Sequence, residues 1–182
     1  MSTQAVIVID LQNEYLPAGK LPLTGIEAAA ANAAKVIAEA RFKGQPVIHI
    51  QHVFANNEMP VFVPGSDGIK IQASVTPVSD EPVVVKNYVN AFLNTELKRL
   101  LDERGVTSLV VVGAMSHMCV DAAVRAAADF GYEVTVLHDA CATLDLEFNG
   151  VTVKAEQVHA TMMASLAFAY ATVKSTREYL DA

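Results

Sequence analysis

At 182 residues the chain has the length of one domain, residues 1–182, with room for a full hydrophobic core. Apolar residues make up 52% of it and charged residues 18%, yet no apolar run approaches the roughly 20 residues that a membrane-spanning helix needs. A formal net charge of −7 argues against nucleic acid or an anionic membrane as the main partner, and two cysteines without a CxxC spacing are too few for a disulfide scaffold. The opening MSTQAVIVIDLQNEY lacks a basic n-region, so it does not read as a signal peptide, and a reducing cytoplasm is the expected location.

Ala5 to Asp10 is an unbroken apolar run ending in an acid, the pattern of a central parallel strand buried on both faces. A Pro- and Gly-containing loop follows. An alanine-rich helix is predicted from Ile26 to Lys43, with Gly44 as its stop. Pro46 to Val53 reads as a second strand, and Phe54 to Glu81 as a long irregular stretch, which in a compact domain is usually functional or mobile. Val83 to Lys86 is a third strand, Asn94 to Arg104 a helix, and Thr107 to Val112 a fourth strand. A helix from Met118 to Phe130, a strand from Glu133 to His138, a helix from Lys154 to Tyr170 and a sixth strand over Ala171 to Thr176 complete the chain. Strands alternating with helices predict right-handed βαβ units and an α/β fold, its sheet covered on both faces.

The turn between the fourth strand and its helix carries Cys119. A thiol there is expected to feel the positive end of the helix dipole and unpaired backbone N–H groups, which lower its pKa. The geometry is that of a strained strand-to-helix turn presenting a nucleophile; the plainer reading is a small buried cysteine. In open α/β sheets the site lies beyond the carboxyl ends of the strands. Asp10, Lys86 and Cys119 all fall at that edge. A buried strand gains nothing by ending in an ionisable group unless the group is paired or used. Singly, Asp10 also reads as a cap, Lys86 as a solvated terminus and Cys119 as core. Together they suit thiol chemistry: an ammonium stabilises a thiolate, a carboxylate can take the thiol proton and pass it to a leaving amine, and the turn can offer N–H groups to an oxyanion.

The segments VIVIDLQNEY, VVVKNYVNAF, VVVGAMSHMCVDAAVRAA and GYEVTVLHDACAT, in that order and spacing, closely resemble the isochorismatase-like cysteine hydrolase superfamily over nearly the whole chain. The resemblance implies a three-layer α/β/α fold around a mostly parallel six-stranded sheet of order 3-2-1-4-5-6. It implies an Asp10–Lys86–Cys119 triad in which Cys119 attacks a carbonyl, Asp10 is general base and acid, and Lys86 holds both. It also implies a non-proline cis peptide at Ala114–Met115 and an oxyanion hole from the Met115 and Cys119 N–H groups. The implied reaction is hydrolysis of an amide-like C–N bond of a small molecule through a thioester, without cofactor. Isochorismatases proper share the fold but cleave a vinyl ether and commonly lack the cysteine, so Cys119 points to the amidohydrolase side. The resemblance also implies a homodimer or homotetramer, with the apolar last helix or its surroundings as a candidate contributor.

The match has departures. Nicotinamidases of this superfamily hold a metal with an Asp and histidines after the second strand; here that segment reads IQHVFANNEMP, and His49 and His52, three apart on a strand, point to opposite faces. No metal site is expected. Tyr15, Phe62 and, less directly, Phe92 follow strand ends and are candidates to line a substrate pocket; His117 is given a pocket-lining or structural role. Ser116 is read as the helix N-cap, Asp139 as the cap of a local turn, Cys141 as an inert buried thiol and His159 as packing. Two other readings compete: a non-catalytic protein binding a small ligand or partner in the same cleft, and a redox protein using Cys119 with Cys141, which the absence of CxxC disfavours.

Overall fold

The computed structural model describes residues 3–55, 59–78 and 80–182; residues 56–58 of the long loop, and Ser79, lie outside this account. The elements run β1 (Thr3–Ile9), α1 (Ile26–Phe42), β2 (Val47–His52), β3 (Val83–Lys86), α2 (Leu97–Glu103), β4 (Val106–Ala114), α3 (Asp121–Asp129), β5 (Glu133–Ala142), β6 (Leu146–Phe148), β7 (Val151–Val153), α4 (Ala155–Ala169), β8 (Thr172–Lys174) and α5 (Thr176–Leu180). The main sheet has the order β3-β2-β1-β4-β5-β8, with every pair parallel. Counting only its own strands, this is 3-2-1-4-5-6. The chain builds outward from β1 to β3, then returns to lay β4 on the other side of β1. That reversal opens a crevice beyond the carboxyl ends of β1 and β4.

The unbroken apolar run of β1 is explained by burial on both faces. Ile7 and Ile9 join the core beneath α2, α3 and α4, while Val6 and Val8 join the core beneath α1, where Ala33, Val36 and Ile37 meet them. On α1 the alanines let the helix lie close to the sheet. Gly113 on β4 is required by approach: it has φ 131°, and a Cβ there would drive into the Ile9 carbonyl of β1.

Several elements differ from expectation. The helix expected from Met118 is interrupted: Ser116–Val120 forms a π-type turn, with the Val120 N–H reaching the Met115 carbonyl at 3.2 Å, before regular α3 begins. Ser116 is therefore not a cap. Its hydroxyl donates to the Ala142 carbonyl (3.2 Å) and lies 2.8 Å from His159 Nδ1, so His159 ties α4 to this turn rather than merely packing. β5 runs past His138 to Ala142, because Cys141 and Ala142 continue the ladder against Gly113 and Ala114. Asp139 accordingly lies within the strand, and its carboxylate accepts the Thr176 N–H and hydroxyl at 2.7 Å each, anchoring the start of α5. The β6–β7 hairpin and α5, which has a capping box of Ser175 and Glu178, were not read from the sequence. Arg125 pairs with Asp121 one turn earlier at 2.9 Å, donates to Ser165 of α4 and lies over the Tyr170 ring, joining α3 to α4. Among the described residues no helix is long and apolar enough to cross a membrane.

Candidate active site

Three strands deliver the site. Asp10 follows β1 with φ 50°, its N–H still bonded to the Ile50 carbonyl, so the backbone bends only after the ladder has fixed it. Lys86 is the last residue of β3 and Cys119 stands in the π-type turn after β4, the Ala114–Met115 peptide between them being cis. The side chains meet. Lys86 Nζ lies 2.8 Å from Asp10 Oδ2 and 3.2 Å from Cys119 Sγ, with the Asp10 and Lys86 side chains fully buried. The Asp10–Lys86 contact is an ion pair of poor hydrogen-bond angle: both carboxylate oxygens are buried without a well-directed donor.

This environment shapes the acid–base chemistry. Burial raises the Asp10 carboxyl above its ordinary value, with Lys86 opposing. For Lys86, burial disfavours the ammonium, but Asp10 and Cys119 outweigh it and the group rises. Burial and the Asp10 carboxylate push the Cys119 thiol up, against Lys86. The expectation of a helix-lowered thiol is thus corrected: the turn is not the first turn of a regular helix, and desolvation dominates. With Asp10 ionised and Cys119 protonated, the site holds a carboxylate, an ammonium and a thiol. Moving the thiol proton to Asp10 gives acid, ammonium and thiolate, leaving the buried net charge unchanged.

Cys119 opens onto a cavity of about 340 Å³ walled by Leu21, Phe54, Val61, Phe62, Val89, Met115 and Met118, with Tyr15, His52, Asn87 and Tyr88 as polar members. No described residue lining it carries a formal charge. Tyr15 and Phe62 stand in this wall with ring centroids 5.1 Å apart, edge to face. The buried Glu14 carboxylate fixes the wall, accepting the Phe62 N–H at 3.4 Å and the Lys20 N–H at 3.3 Å. His117 does not join them: it lies away from the cavity lining with Nδ1 2.6 Å from Thr143 Oγ1. Phe92 is also elsewhere, packed on Phe130 and Tyr132.

The two strand histidines do diverge. His49 lies 3.0 Å from Glu81, while His52 faces the site with Nδ1 3.0 Å from Lys86 Nζ. Among the described residues no group of three or more His, Cys, Asp or Glu is arranged to hold a metal ion. His52 and Gln12 went unread as site residues. Gln12 clamps the end of β2, accepting the His52 N–H at 2.8 Å and donating to the His52 carbonyl at 2.9 Å. The available signal was register, since His52 and Lys86 are partners at the ends of adjacent parallel strands.

Known proteins share this architecture. The Isochorismatase domain family matches residues 4–178. The chain belongs to the isochorismatase family. It is 48% identical to the isochorismatase family protein YddQ of Bacillus subtilis, over 98% of this chain and 99% of that one. It is 37% identical to streptothricin hydrolase of Streptomyces noursei over 79% of this chain, but spans only 51% of that protein. A crystal structure from Oleispira antarctica superposes with a TM-score of 0.96 at 52% identity, covering 100% of this chain and 97% of the other. The chain therefore has an isochorismatase-family hydrolase fold.

Proposed function

We propose that this isochorismatase-family chain is a cysteine hydrolase that cleaves the C–N bond of a small, uncharged, largely apolar carboxamide-like compound through a thioester. The observation that carries this reading is the buried contact of Lys86 Nζ with both Asp10 Oδ2 (2.8 Å) and Cys119 Sγ (3.2 Å) on an apolar cavity. The reading is also supported by the family relation to a hydrolase, streptothricin hydrolase.

In the proposed reaction Asp10 takes the Cys119 thiol proton as Sγ bonds to the substrate carbonyl carbon. The Met115 and Cys119 N–H groups receive the oxyanion. Collapse breaks the C–N bond, and the leaving nitrogen takes the proton from Asp10, departing as ammonia or an amine. Asp10 then accepts a proton from water, whose oxygen attacks the thioester; collapse releases the acid and returns the proton to Cys119. Lys86 remains an ammonium throughout and offsets whichever of Asp10 and Cys119 is anionic. A cavity lined by no formal charge among its described residues suits a substrate body with none, because a buried unpaired ion would be strongly disfavoured.

The test is ammonia release from a panel of primary amides, lactams and ureido compounds, with intact-mass detection of the acyl-enzyme. Hydrolysis by the wild type, with an acyl adduct on Cys119 and none in Cys119→Ala, is expected. Hydrolysis undiminished in Cys119→Ala would defeat the proposal.

A further inference from the structure

We propose that His52 is a positioning residue for the nucleophile, a neutral imidazole that accepts a hydrogen bond from the Lys86 ammonium and so fixes that ammonium between Asp10 and Cys119. The inference rests on the reading of Cys119 as nucleophile and adds a residue to it.

An ammonium has three hydrogens and no lone pair, so every contact it makes is a donation. Around Lys86 Nζ stand two hydrogen-bond acceptors, His52 Nδ1 at 3.0 Å and Cys119 Sγ at 3.2 Å, and one ion-pair partner, Asp10 Oδ2 at 2.8 Å. Because Lys86 must donate, His52 Nδ1 must be bare, which puts the imidazole proton on Nε2. Protonating Nδ1 would set two cations face to face in a buried site. Burial, seconded by Lys86, accordingly pushes the His52 pKa down to about 4, so the ring stays neutral. With His52 and Cys119 accepting its hydrogens and Asp10 paired with its charge, the Lys86 head group has one favoured orientation. Without His52, one N–H is left unsatisfied in a fully buried site, and the ammonium is free to recentre on Asp10, its stronger partner.

The histidine is itself held more firmly than a cavity-wall residue requires. Its N–H and carbonyl are both bonded to the Gln12 side chain, and its ring stands edge-on to Phe54 and Phe62, at centroid distances of 4.6 and 5.3 Å. Register with Lys86 puts the two side chains side by side at the sheet edge. An imidazole serving only as apolar wall would gain nothing from directing Nδ1 at an ammonium, and the ordinary alternative at this position is any residue that fills space.

The experiment uses iodoacetamide alkylation of Cys119 across pH, site-resolved by mass spectrometry, so it needs no substrate. His52→Leu removes the acceptor. His52→Asn keeps one close to Cγ, where Nδ1 stands, and His52→Gln places its amide further out, nearer Nε2. We expect His52→Leu and His52→Gln to slow Cys119 alkylation about tenfold or more, as loss of a hydrogen bond to a charged group implies, with the pH profile displaced to higher pH. His52→Asn should recover most of the rate. In a Lys86→Met background His52→Leu should have no further effect, since His52 acts through Lys86. A His52→Leu profile overlaying wild type, a His52→Asn variant no better than His52→Gln, or effects additive with Lys86→Met would each overturn the proposal. If His52→Leu does not fold, the Asn–Gln comparison decides alone. His52-dependent alkylation in a chain that hydrolyses no amide would retain this role and defeat the hydrolase reading; the converse result would do the reverse.

Discussion

Cys119 and Cys141 are nearly matched in burial, at 6% and 7% exposure, and both lie toward the carboxyl edge of the sheet. Burial pushes each thiol up, Cys141 to about 12. Desolvation is the largest cause that disfavours the thiolate at both. Their neighbours differ. Cys141 has the Gly113 N–H, which favours its thiolate, and Asp139, which opposes it. Cys119 has the buried Lys86 ammonium at 3.2 Å, itself paired with Asp10; in the proposed reaction Asp10 accepts the thiol proton and Lys86 holds the anion left behind. On the proposed function, a raised thiol pKa does not separate a structural cysteine from a reactive one. What separates them is a proton acceptor and a cation buried in the same place, so that ionisation becomes a proton shift within a neutral cluster.

The sharpest way to break this comparison is to exchange the losses. Cys119→Ser should lower amide turnover by on the order of 10⁴ or more, the scale seen when a nucleophile is removed from a unit that acts together. Cys141→Ser should leave turnover unchanged. A Cys141 variant that lost activity with Cys119 alkylation intact would revive the redox reading.

Asp10→Asn follows in size. Loss of a positioned general base costs about 10²–10⁴-fold in turnover. The pH profile gives a second readout with a fixed sign. Asp10 works as a base only when ionised, and its carboxyl is raised by burial. The acid limb of kcat/KM should therefore fall at higher pH than an ordinary carboxyl at 3.8 would give, with activity lost as pH drops through that raised value. An acid limb at or below 3.8 would show that burial of Asp10 does not control its chemistry.

How much of this was legible in the sequence divides along physical lines. The apolar run before Asp10 and the β-branched strand ending in Lys86 announce buried parallel strands whose carboxyl ends collect at one edge. Alternating strands and helices predict a parallel sheet, and its strand order is implied by the resemblance to the isochorismatase-like superfamily. Tyr15 and Phe62 stand in the cavity wall as expected, whereas His117 does not, because the π-type turn rotates it toward Thr143 rather than the cleft. That turn comes from an i→i−5 bond, which side-chain periodicity does not encode. The thiol shift was misjudged for a related reason: helix-terminus electrostatics can be read from local sequence, but desolvation depends on segments distant in the chain. His52 lay hidden because three-residue spacing on β2 reveals only that it opposes His49, not which strand it faces. The hairpin of β6 and β7 is three residues a side, too short to leave a pattern.

The smallest effect expected is on stability, and it bears on whether the two cysteines are independent. Cys141→Ala removes a buried sulfur and should cost about 1 kcal/mol, read from urea unfolding at constant m-value. Cys141→Ser keeps an acceptor for the Gly113 N–H but buries a hydroxyl, so the two variants separate the cost of the cavity from that of the hydrogen bond. Gly113 is the close-approach residue of β4 against β1 and sits on the strand that leads into the Cys119 turn. If Cys141 acts on Cys119 at all, it must do so through this backbone. Unchanged iodoacetamide kinetics at Cys119 in both variants would establish that one thiol is structural and the other chemical. Slower alkylation in Cys141→Ala, restored in Cys141→Ser, would instead make the Gly113 bond part of what aims the nucleophile, and the contrast between the two cysteines would become a coupling.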